Sequence, residues 1–258
     1  MGGEFTGNVA VVTGGSRGIG RAIASALAEQ GAQTVLVATS QDNLNVAAKA
    51  IAQKGAPEPM TIAGDLRQLA VCENVHARVR EKFGRCDILI NNAGATKAGT
   101  FLDLPDDAWS DGFALKFFAC VRMSRLFWPM LRDAKGHVVN IIGGAARTPD
   151  ANFLIGGSVN AAMANFAKGL SQLGRREGVN VNVIHPGMTE TDRVTQLFAQ
   201  RAAASGKTPD EVRAQALKEG MGQPDDVAAL AVFLCSARSR HVQGTAIAVD
   251  GGSTPGFY

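Results

Sequence analysis

The sequence predicts an α/β fold in which a doubly wound parallel sheet of about seven strands carries helices on both faces. Short, continuous apolar runs alternate with longer segments of helical periodicity along the whole chain. Continuous apolar strands are typical of parallel sheets, because helices bury both of their faces. The 258 residues include 30 glycines, which suits many tight connections between strands and helices. No internal repeat or linker interrupts this pattern, so residues 1–258 are predicted to form a single domain.

The predicted elements follow one another in regular alternation. Apolar runs of strand composition predict strands at residues 8–12, 34–38, 60–63, 87–90, 137–142, 180–184 and 246–249. Apolar residues at helical spacing predict helices at residues 21–29, 41–54, 68–83, 106–133, 152–177 and 224–235. The more polar segment 190–220 is helical in pattern and has its own capping signal at residues 208–211, which predicts a helical lid over a substrate site.

A glycine-rich loop, Thr-Gly-Gly-Ser-Arg-Gly-Ile-Gly at residues 13–20, joins the first predicted strand to the first predicted helix. Strand, glycine loop and helix in this order form the arrangement that binds a dinucleotide. Gly14 allows a sharp turn, Gly18 lets a pyrophosphate approach the backbone, and Gly20 lets the helix pack close to the sheet. The N–H groups of the first helical turn then face the phosphates. The predicted cofactor contacts in this loop are Gly14, Ser16, Arg17, Gly18, Ile19 and Gly20.

Charge and cysteine content argue against several other classes of protein. A net charge of +3 is too small to indicate binding to nucleic acid or to a membrane surface. No apolar run is long enough to span a bilayer, and no signal peptide is recognised at the N-terminus. The four cysteines are scattered and have no metal-ligand spacing to the four histidines. We therefore expect a cytoplasmic protein without a metal that acts on a small molecule.

Five motifs occur in order along the chain. They are the glycine loop 13–20, Asp65-Leu66, Asn91-Asn-Ala-Gly94, Pro186-Gly187 followed by Thr191, and Val249-Asp-Gly-Gly252. With these motifs the sequence resembles the short-chain dehydrogenase/reductase family, and its pattern is closest to the 3-oxoacyl-[acyl-carrier-protein] reductases. The resemblance covers essentially the whole chain. It implies a Rossmann fold, a nicotinamide cofactor, a carbonyl or alcohol substrate, and a homotetramer or dimer formed through the helices at 106–133 and 152–177.

The end of the second predicted strand favours NADP(H) over NAD(H). Residues 38–40 read Ala-Thr-Ser, so no acid is present to bind the ribose hydroxyls or to repel a 2′-phosphate. Arg17 lies in the glycine loop, where NADP-dependent members of the family carry a base; the alternative is that Arg17 only faces solvent. The resemblance implies that Asp65 contacts the adenine, that Asn91 contacts its ribose, and that the segment after Pro186 holds the carboxamide. The remaining implied cofactor contacts are Thr39, Ser40, Leu66, Asn92, Ala93, Gly94, Gly187, Thr189 and Thr191.

The residues expected to carry the reaction depart from the family pattern. Members of the family reduce a carbonyl with a hydride while a tyrosine supplies the proton, assisted by a lysine, a serine and an asparagine. In this sequence the tyrosine position is Gly156 and the lysine position is Asn160. The serine position is Gly143 and the asparagine position is Lys116. The only tyrosine of the chain is Tyr258, so no shift of the alignment restores the pattern, and the usual proton transfer is excluded.

Several residues are candidates to replace the missing proton donor. A desolvated lysine acts as an acid or base near neutral pH, so Lys116 is one candidate; the alternative is a flexible surface lysine. His185 titrates in a useful range at the end of a strand, although a packed, hydrogen-bonded histidine would look the same in sequence. Ser158 is a further nearby donor, and Asn160 is suited to bind the nicotinamide ribose. Tyr258 is an outside candidate that could reach a neighbouring subunit.

Three functions are consistent with this combination of residues. The first, which we favour from the family resemblance, is an NADP-dependent oxidoreductase with a rearranged proton donor. The second is a cofactor-binding protein without turnover, such as a redox sensor or a non-catalytic partner subunit. The third is a non-redox enzyme that reuses the cleft. The glycines at positions 143, 144, 156 and 157 together also predict a roomy cavity beside the nicotinamide.

Overall fold

The structure is a computed structural model that describes residues 3–191, 194–195, 198, 202, 206–218 and 220–254. In this part of the chain, seven parallel strands form one sheet in the order β3-β2-β1-β4-β5-β6-β7. The strands are β1 (Val9–Thr13), β2 (Gln33–Ala38), β3 (Met60–Ala63), β4 (Ile88–Asn91), β5 (His137–Ile141), β6 (Asn180–Pro186) and β7 (Ala246–Val249). The predicted doubly wound parallel sheet is therefore confirmed.

Helices cover both faces of the sheet, as the continuous apolar strands require. The described helices are α1 (Gly18–Glu29), α2 (Gln41–Ala52), α3 (Leu69–Phe83), α4 (Asp106–Gly112), α5 (Ala119–Ala134), α6 (Leu154–Glu177), α7 (Pro209–Lys218) and α8 (Pro224–Leu234). Helices α1, α2 and α8 share one core cluster with the sheet, and α3 and α5 share another on the opposite face. Successive residues of β1 alternate between these clusters: Ala10 and Val12 face the first, and Val9 and Val11 face the second.

The predicted helix at 106–133 is interrupted in the structure. Helices α4 and α5 are separated by six residues of π-helix, Phe113–Phe118, in which the backbone bonds close wider turns. Lys116 lies in this π-helix. π-Helical segments are rare in proteins, and those that occur are often found at functional sites. The π-helix at Phe113–Phe118 is therefore a candidate part of a functional site.

The strand order changes direction beside β1, which pairs with β2 on one side and with β4 on the other. Crevices at the carboxyl ends of the strands open at such a switch point, and ligands of open α/β sheets bind there. The glycine loop leaves β1 at this end of the sheet, and residues 92–94 leave β4 beside it. The topology therefore brings two of the sequence motifs together.

The segment 190–220, predicted as a lid, is described at residues 190–191, 194–195, 198, 202, 206–218 and 220. Its capping box forms as predicted before α7: the Thr208 hydroxyl accepts the Glu211 N–H, and a Glu211 carboxylate oxygen accepts the Thr208 N–H. Among the described helices, none is both long and apolar enough to cross a membrane.

Candidate active site

The glycine loop forms a cradle whose shape depends on the absence of side chains. Gly14 and Gly18 have left-handed backbone conformations, with φ of 66° and 53°. Gly20 has an ordinary conformation, but a Cβ atom on it would lie 2.2 Å from the carbonyl oxygen of Gly14. The loop backbone therefore lies tightly against the N-terminus of α1. The N–H groups of the first turn of α1 face the space that the loop encloses, where a phosphate group would bind.

Asn92 fastens this cradle to the end of β4. Its side-chain Nδ2 donates to the carbonyl oxygens of Thr13 at 3.0 Å and Gly14 at 3.2 Å. In return, the Thr13 hydroxyl accepts the backbone N–H groups of Asn92 at 2.9 Å and Ala93 at 3.0 Å. The side chain of Asn92 thus stabilises the loop by hydrogen bonds. The sequence predicts a cofactor contact for this residue and not this structural role.

A cleft of about 430 Å³ runs along the cradle at the switch point. Most of the residues predicted to contact a cofactor in the first half of the chain line it. They are Gly14, Ser16, Arg17, Gly18, Ile19, Thr39, Leu66, Asn92, Ala93 and Gly94, together with Thr191 from the segment after β6. Arg17 is exposed at the mouth of the cleft and precedes the first turn of α1.

Three predicted cofactor contacts have other partners in this structure. The Asn91 side chain is buried and donates to Ser124 and Asn140 in the interior, so its predicted ribose contact is wrong for the side chain. The Asp65 carboxylate accepts both the backbone N–H and the guanidinium of Arg67. The Ser40 hydroxyl accepts the N–H of residue 43 as the N-cap of α2.

Arg67 is a cleft residue that sequence reasoning missed. Its guanidinium lines the cleft and bridges Asp65 to Asp111 of α4, with 2.5 Å between Nε of Arg67 and a carboxylate oxygen of Asp111. These hydrogen bonds raise the pKa of Arg67 and lower the pKa of Asp111. No motif indicates the bridge, because Asp111 is 44 residues away in sequence.

Strand β6 ends at Pro186, and Gly187 begins the following segment, which carries Thr189 and Thr191. The N–H of Gly187 donates to the carbonyl of Val249, and a Cβ on Gly187 would lie 2.7 Å from Asp250. The Thr189 hydroxyl donates to the carbonyl of Gly187 at 3.1 Å, so this side chain braces its own turn. Of the two threonines, only Thr191 is among the residues that line the main cleft.

Lys116 and Asn160 meet at the edge of the cleft. Nζ of Lys116 donates to Oδ1 of Asn160 at 2.5 Å, although the two residues lie on different helical segments. The aliphatic part of the lysine crosses Gly94, where a Cβ atom would lie 2.9 Å from Cδ of Lys116. Asn160 is 1% exposed, and its Nδ2 lies 3.0 Å from the position that a Cβ on Gly143 would take. Three of the four positions discussed above as a reaction centre therefore lie together.

The fourth position, Gly156, is covered by an aromatic ring. Atoms Cε1 and Cζ of Phe153 lie 2.1 Å from the place that a Cβ on Gly156 would occupy. Phe153 and the amide of Asn160 therefore take up the space beside Gly156 and Gly143, two of the four glycines from which a roomy cavity was predicted. Gly157 does line a cavity of about 200 Å³. A side chain at position 156 would require the phenyl ring to move.

The remaining candidate proton donors differ in their placement. His185 is buried, and its Nδ1–H donates to the carbonyl of Ile142 at 2.6 Å. Burial lowers the pKa of His185, and the charges of Arg147 and Lys116 lower it further. Ser158 is exposed on the face of α6 opposite to Asn160 and lines a separate cavity of about 200 Å³ with Phe153 and Gly157, and its role in the reaction stays a prediction. Tyr258 lies outside the described residues.

The switch-point cleft and the glycine cradle define an α/β protein of the dinucleotide-binding class. Residues 8–202 match the model of the short chain dehydrogenase family, and the chain belongs to this family. It is an oxidoreductase family, in agreement with the resemblance described for the sequence.

Similar proteins extend over nearly the whole chain. The 3-oxoacyl-[acyl-carrier-protein] reductase FabG of Salmonella typhimurium is 30% identical over 253 residues, which are 96% of this chain and 98% of that protein. L-sorbose reductase of Gluconobacter frateurii, solved with NADPH and L-sorbose, is 31% identical with a TM-score of 0.94 and covers 100% of both chains. A short chain dehydrogenase of Burkholderia cenocepacia, solved with NADP, is 32% identical with a TM-score of 0.84, and the match covers 96% of this chain and 98% of that chain.

Proposed function

We propose that this protein is an NADP(H)-dependent oxidoreductase of a small carbonyl or alcohol compound, with a reaction centre in which Lys116 replaces the phenolic proton donor of the family. The observation that carries the proposal is the pairing of Lys116 with Asn160 beside Gly94, a residue that lines the cleft. This pairing supports Lys116 as a proton donor at the edge of the cleft.

The residues of the cleft fit a dinucleotide with a 2′-phosphate. The cradle closes so tightly at Gly14 and Gly20 that a phosphate would meet backbone N–H groups rather than side chains. Arg17 supplies positive charge at the mouth of the cleft, and Thr39 and Ala38 line it without an acid. The solved relatives that hold NADPH or NADP support the same choice of cofactor.

In the proposed reaction, the carbonyl group of the substrate is reduced and Nζ of Lys116 supplies the proton. When bound, the reduced cofactor supplies a hydride to the carbonyl carbon of the substrate. The C=O π bond breaks, and its electron pair moves to the oxygen, which takes a proton from the Nζ ammonium of Lys116. The resulting amine is reprotonated from solvent. Asn160 holds Nζ by accepting one of its hydrogen bonds, and Gly94 leaves room for the lysine stem.

The test is to titrate the purified protein with NADPH and NADH by calorimetry, and then to follow NADPH oxidation with ketoses, diketones and a 3-oxoacyl thioester. We expect NADPH to bind at least tenfold more tightly than NADH. In the variant Lys116→Met, turnover should fall by about 10²–10⁴-fold while NADPH affinity stays within about twofold. Unchanged turnover in this variant would remove Lys116 from the proposal. A matching loss in Tyr258→Phe would assign the proton to the only phenol of the chain.

A second candidate function is cofactor binding without turnover. The phenyl ring of Phe153 over Gly156 favours it, because a ring without a hydroxyl group has no proton to supply. In that case the protein would bind NADPH with the same preference but oxidise it with none of the carbonyl compounds. The same pair of measurements therefore decides between the two functions.

We also propose a homo-oligomer and a lid formed by the segment 190–220. The aromatic rings of Phe113, Phe117 and Phe166 pack edge to face, and Phe118 beside them is 46% exposed, which supports a further partner surface there. The lid proposal is supported by Glu190, which accepts hydrogen bonds from Arg213 of α7 and from Gln223 before α8. A monomer mass in sedimentation velocity would contradict the oligomer.

A further inference from the structure

Arg67 is held at the exit of β3 through both its backbone and its side chain. Its backbone N–H donates to the Asp65 carboxylate at 3.0 Å, and its carbonyl oxygen accepts a hydrogen bond from Nη1 of Arg122 on α5 at 2.7 Å. Its side chain is 30% exposed, and the residue lines the switch-point cleft. A long side chain loses rotamer freedom when it binds a ligand, and these contacts reduce that cost before the ligand arrives.

The hydrogen bonds of the guanidinium group determine which part of it is available to a ligand. Nε and Nη2 donate to the two carboxylate oxygens of Asp111, at 2.5 Å and 3.0 Å, and Nη1 donates to the Asp65 carboxylate at 3.1 Å. All three nitrogens of this planar group therefore donate to carboxylates along its edges. These bonds leave the flat faces of the group unused, and a guanidinium group stacks on a ring system through such a face.

The adenine ring of a bound dinucleotide belongs at this end of the cleft. In folds of this class the pyrophosphate lies on the glycine loop after the first strand, and the adenosine ribose lies at the end of the second strand. The strand order β3-β2-β1-β4 places the exit of β3 on the adenosine side of the glycine loop. Leu66 and Leu115 line the same cleft and supply apolar walls for a ring system.

We propose that Arg67 binds the adenine ring of NADP(H) by stacking a flat face of its guanidinium group on the ring, and that Asp65 and Asp111 position this group. One guanidinium between two carboxylates leaves a net negative charge, which disfavours a phosphate at this place and leaves an uncharged base unaffected. Arg17 then serves the phosphate end of the cofactor, and Arg67 serves the base. The inference rests on the NADP(H) binding of the proposed function and is independent of the proton transfer at Lys116.

The test compares adenosine 2′,5′-bisphosphate with ribose 2,5-bisphosphate, which carries the same phosphates without the base. Calorimetry measures the Kd of NADPH, and competition with NADPH measures the Kd of each fragment. Arg67→Lys keeps the charge but loses the planar group. We expect it to raise Kd about five- to tenfold for NADPH and for the adenosine fragment, and to leave Kd for the ribose fragment within about twofold. Arg78→Lys is the matched control, since Arg78 is exposed on α3 and is not among the residues that line the cleft.

A second variant tests the positioning role of Asp111. Asp111→Asn should weaken binding of the adenosine fragment, and the double variant with Arg67→Lys should bind no more weakly than Arg67→Lys alone, because both changes act on one contact. Wild-type affinity for the adenosine fragment in Arg67→Lys would overturn the inference. An equal loss for both fragments would also overturn it, because Arg67 would then only hold the loop. A wild-type protein that bound NADPH but reduced no carbonyl compound would refute the proton transfer alone, whereas one that bound no NADPH would refute both proposals.

Discussion

The cofactor half of the cleft, formed by β1 to β4 and the loops that follow them, contrasts with the reaction half, formed by the π-helix, residues 142–160 and the end of β6. In the cofactor half, the shape of the cradle depends on its backbone and on places where a side chain would not fit, such as Gly14 and Gly20. In the reaction half, the proposed chemistry depends on which side chains stand at a few positions. Under the proposed function, cofactor binding and proton transfer are separable, so one half can keep its pattern while the other changes.

The largest effect is expected when the cradle of the cofactor half is broken. A methyl group in Gly20→Ala would lie 2.2 Å from the Gly14 carbonyl oxygen and 2.5 Å from Nδ2 of Asn92, so the loop must open. We expect NADPH Kd to rise at least 100-fold, about 2.7 kcal/mol, as measured by calorimetry. Gly169→Ala on α6 is the control, because no described atom lies within 4 Å of its added methyl group apart from its chain neighbours and the backbone of its own helix. Wild-type affinity in Gly20→Ala would show that the cradle does not shape the cofactor site.

A smaller effect is expected from the single charged side chain that we assign to the phosphate end. Removing the guanidinium in Arg17→Ala should raise NADPH Kd about 10–100-fold, because hydrogen bonds to a charged group contribute about 1.5–3 kcal/mol. NADH affinity should not change. Arg21→Ala is the matched control, since Arg21 is exposed on the next turn of α1 and does not line the cleft. An equal loss of affinity for NADPH and NADH would show that Arg17 contributes only to the overall positive charge near the cleft and does not bind the 2′-phosphate.

A third, still smaller effect is expected when the hydrogen bonds of the Asn92 side chain are removed from the glycine loop. Asn92→Ala removes two hydrogen bonds to the carbonyl oxygens of Thr13 and Gly14, and we expect the free energy of unfolding to fall by about 2 kcal/mol. Urea denaturation followed by circular dichroism measures it. Asn45→Ala on the exposed face of α2 should stay within about 0.5 kcal/mol of wild type. A loss no larger than this control would mean that the loop is held by its backbone alone.

The two halves also differ in how much of them the sequence predicts. Apolar runs and glycine spacing identify the strands and the cradle, because both follow from local periodicity and from backbone freedom. Lys116, which pairs with Asn160, lies in a π-helix that the periodicity of the sequence does not predict. The ring of Phe153 over Gly156 and the bridge through Arg67 depend on how individual side chains are oriented. Such contacts depend on packing directions that only the folded chain defines.

The smallest expected effect is a change in the pH dependence of stability. Measuring it tests whether His185, the buried histidine of the reaction half, stays neutral in the folded protein. Burial lowers the pKa of His185, and it does the same for His137 and His76. The unfolded chain therefore binds protons at a higher pH than the folded chain, so stability is fully present above about pH 6.5 and falls as the pH is lowered from there toward the folded pKa values. The slope is at most about 1.4 kcal/mol per pH unit for each histidine.

Urea denaturation between about pH 7 and pH 5 measures this slope, and the carboxyl groups whose pKa is lowered, such as Asp111 and Glu190, titrate below this window. His185→Gln should flatten the slope, because one of the three groups no longer takes up a proton on unfolding. An unchanged slope would mean that His185 is protonated as readily in the folded protein as in the unfolded chain. It would then carry a positive charge beside Lys116, and the reaction half would have two ammonium-like groups where we propose one.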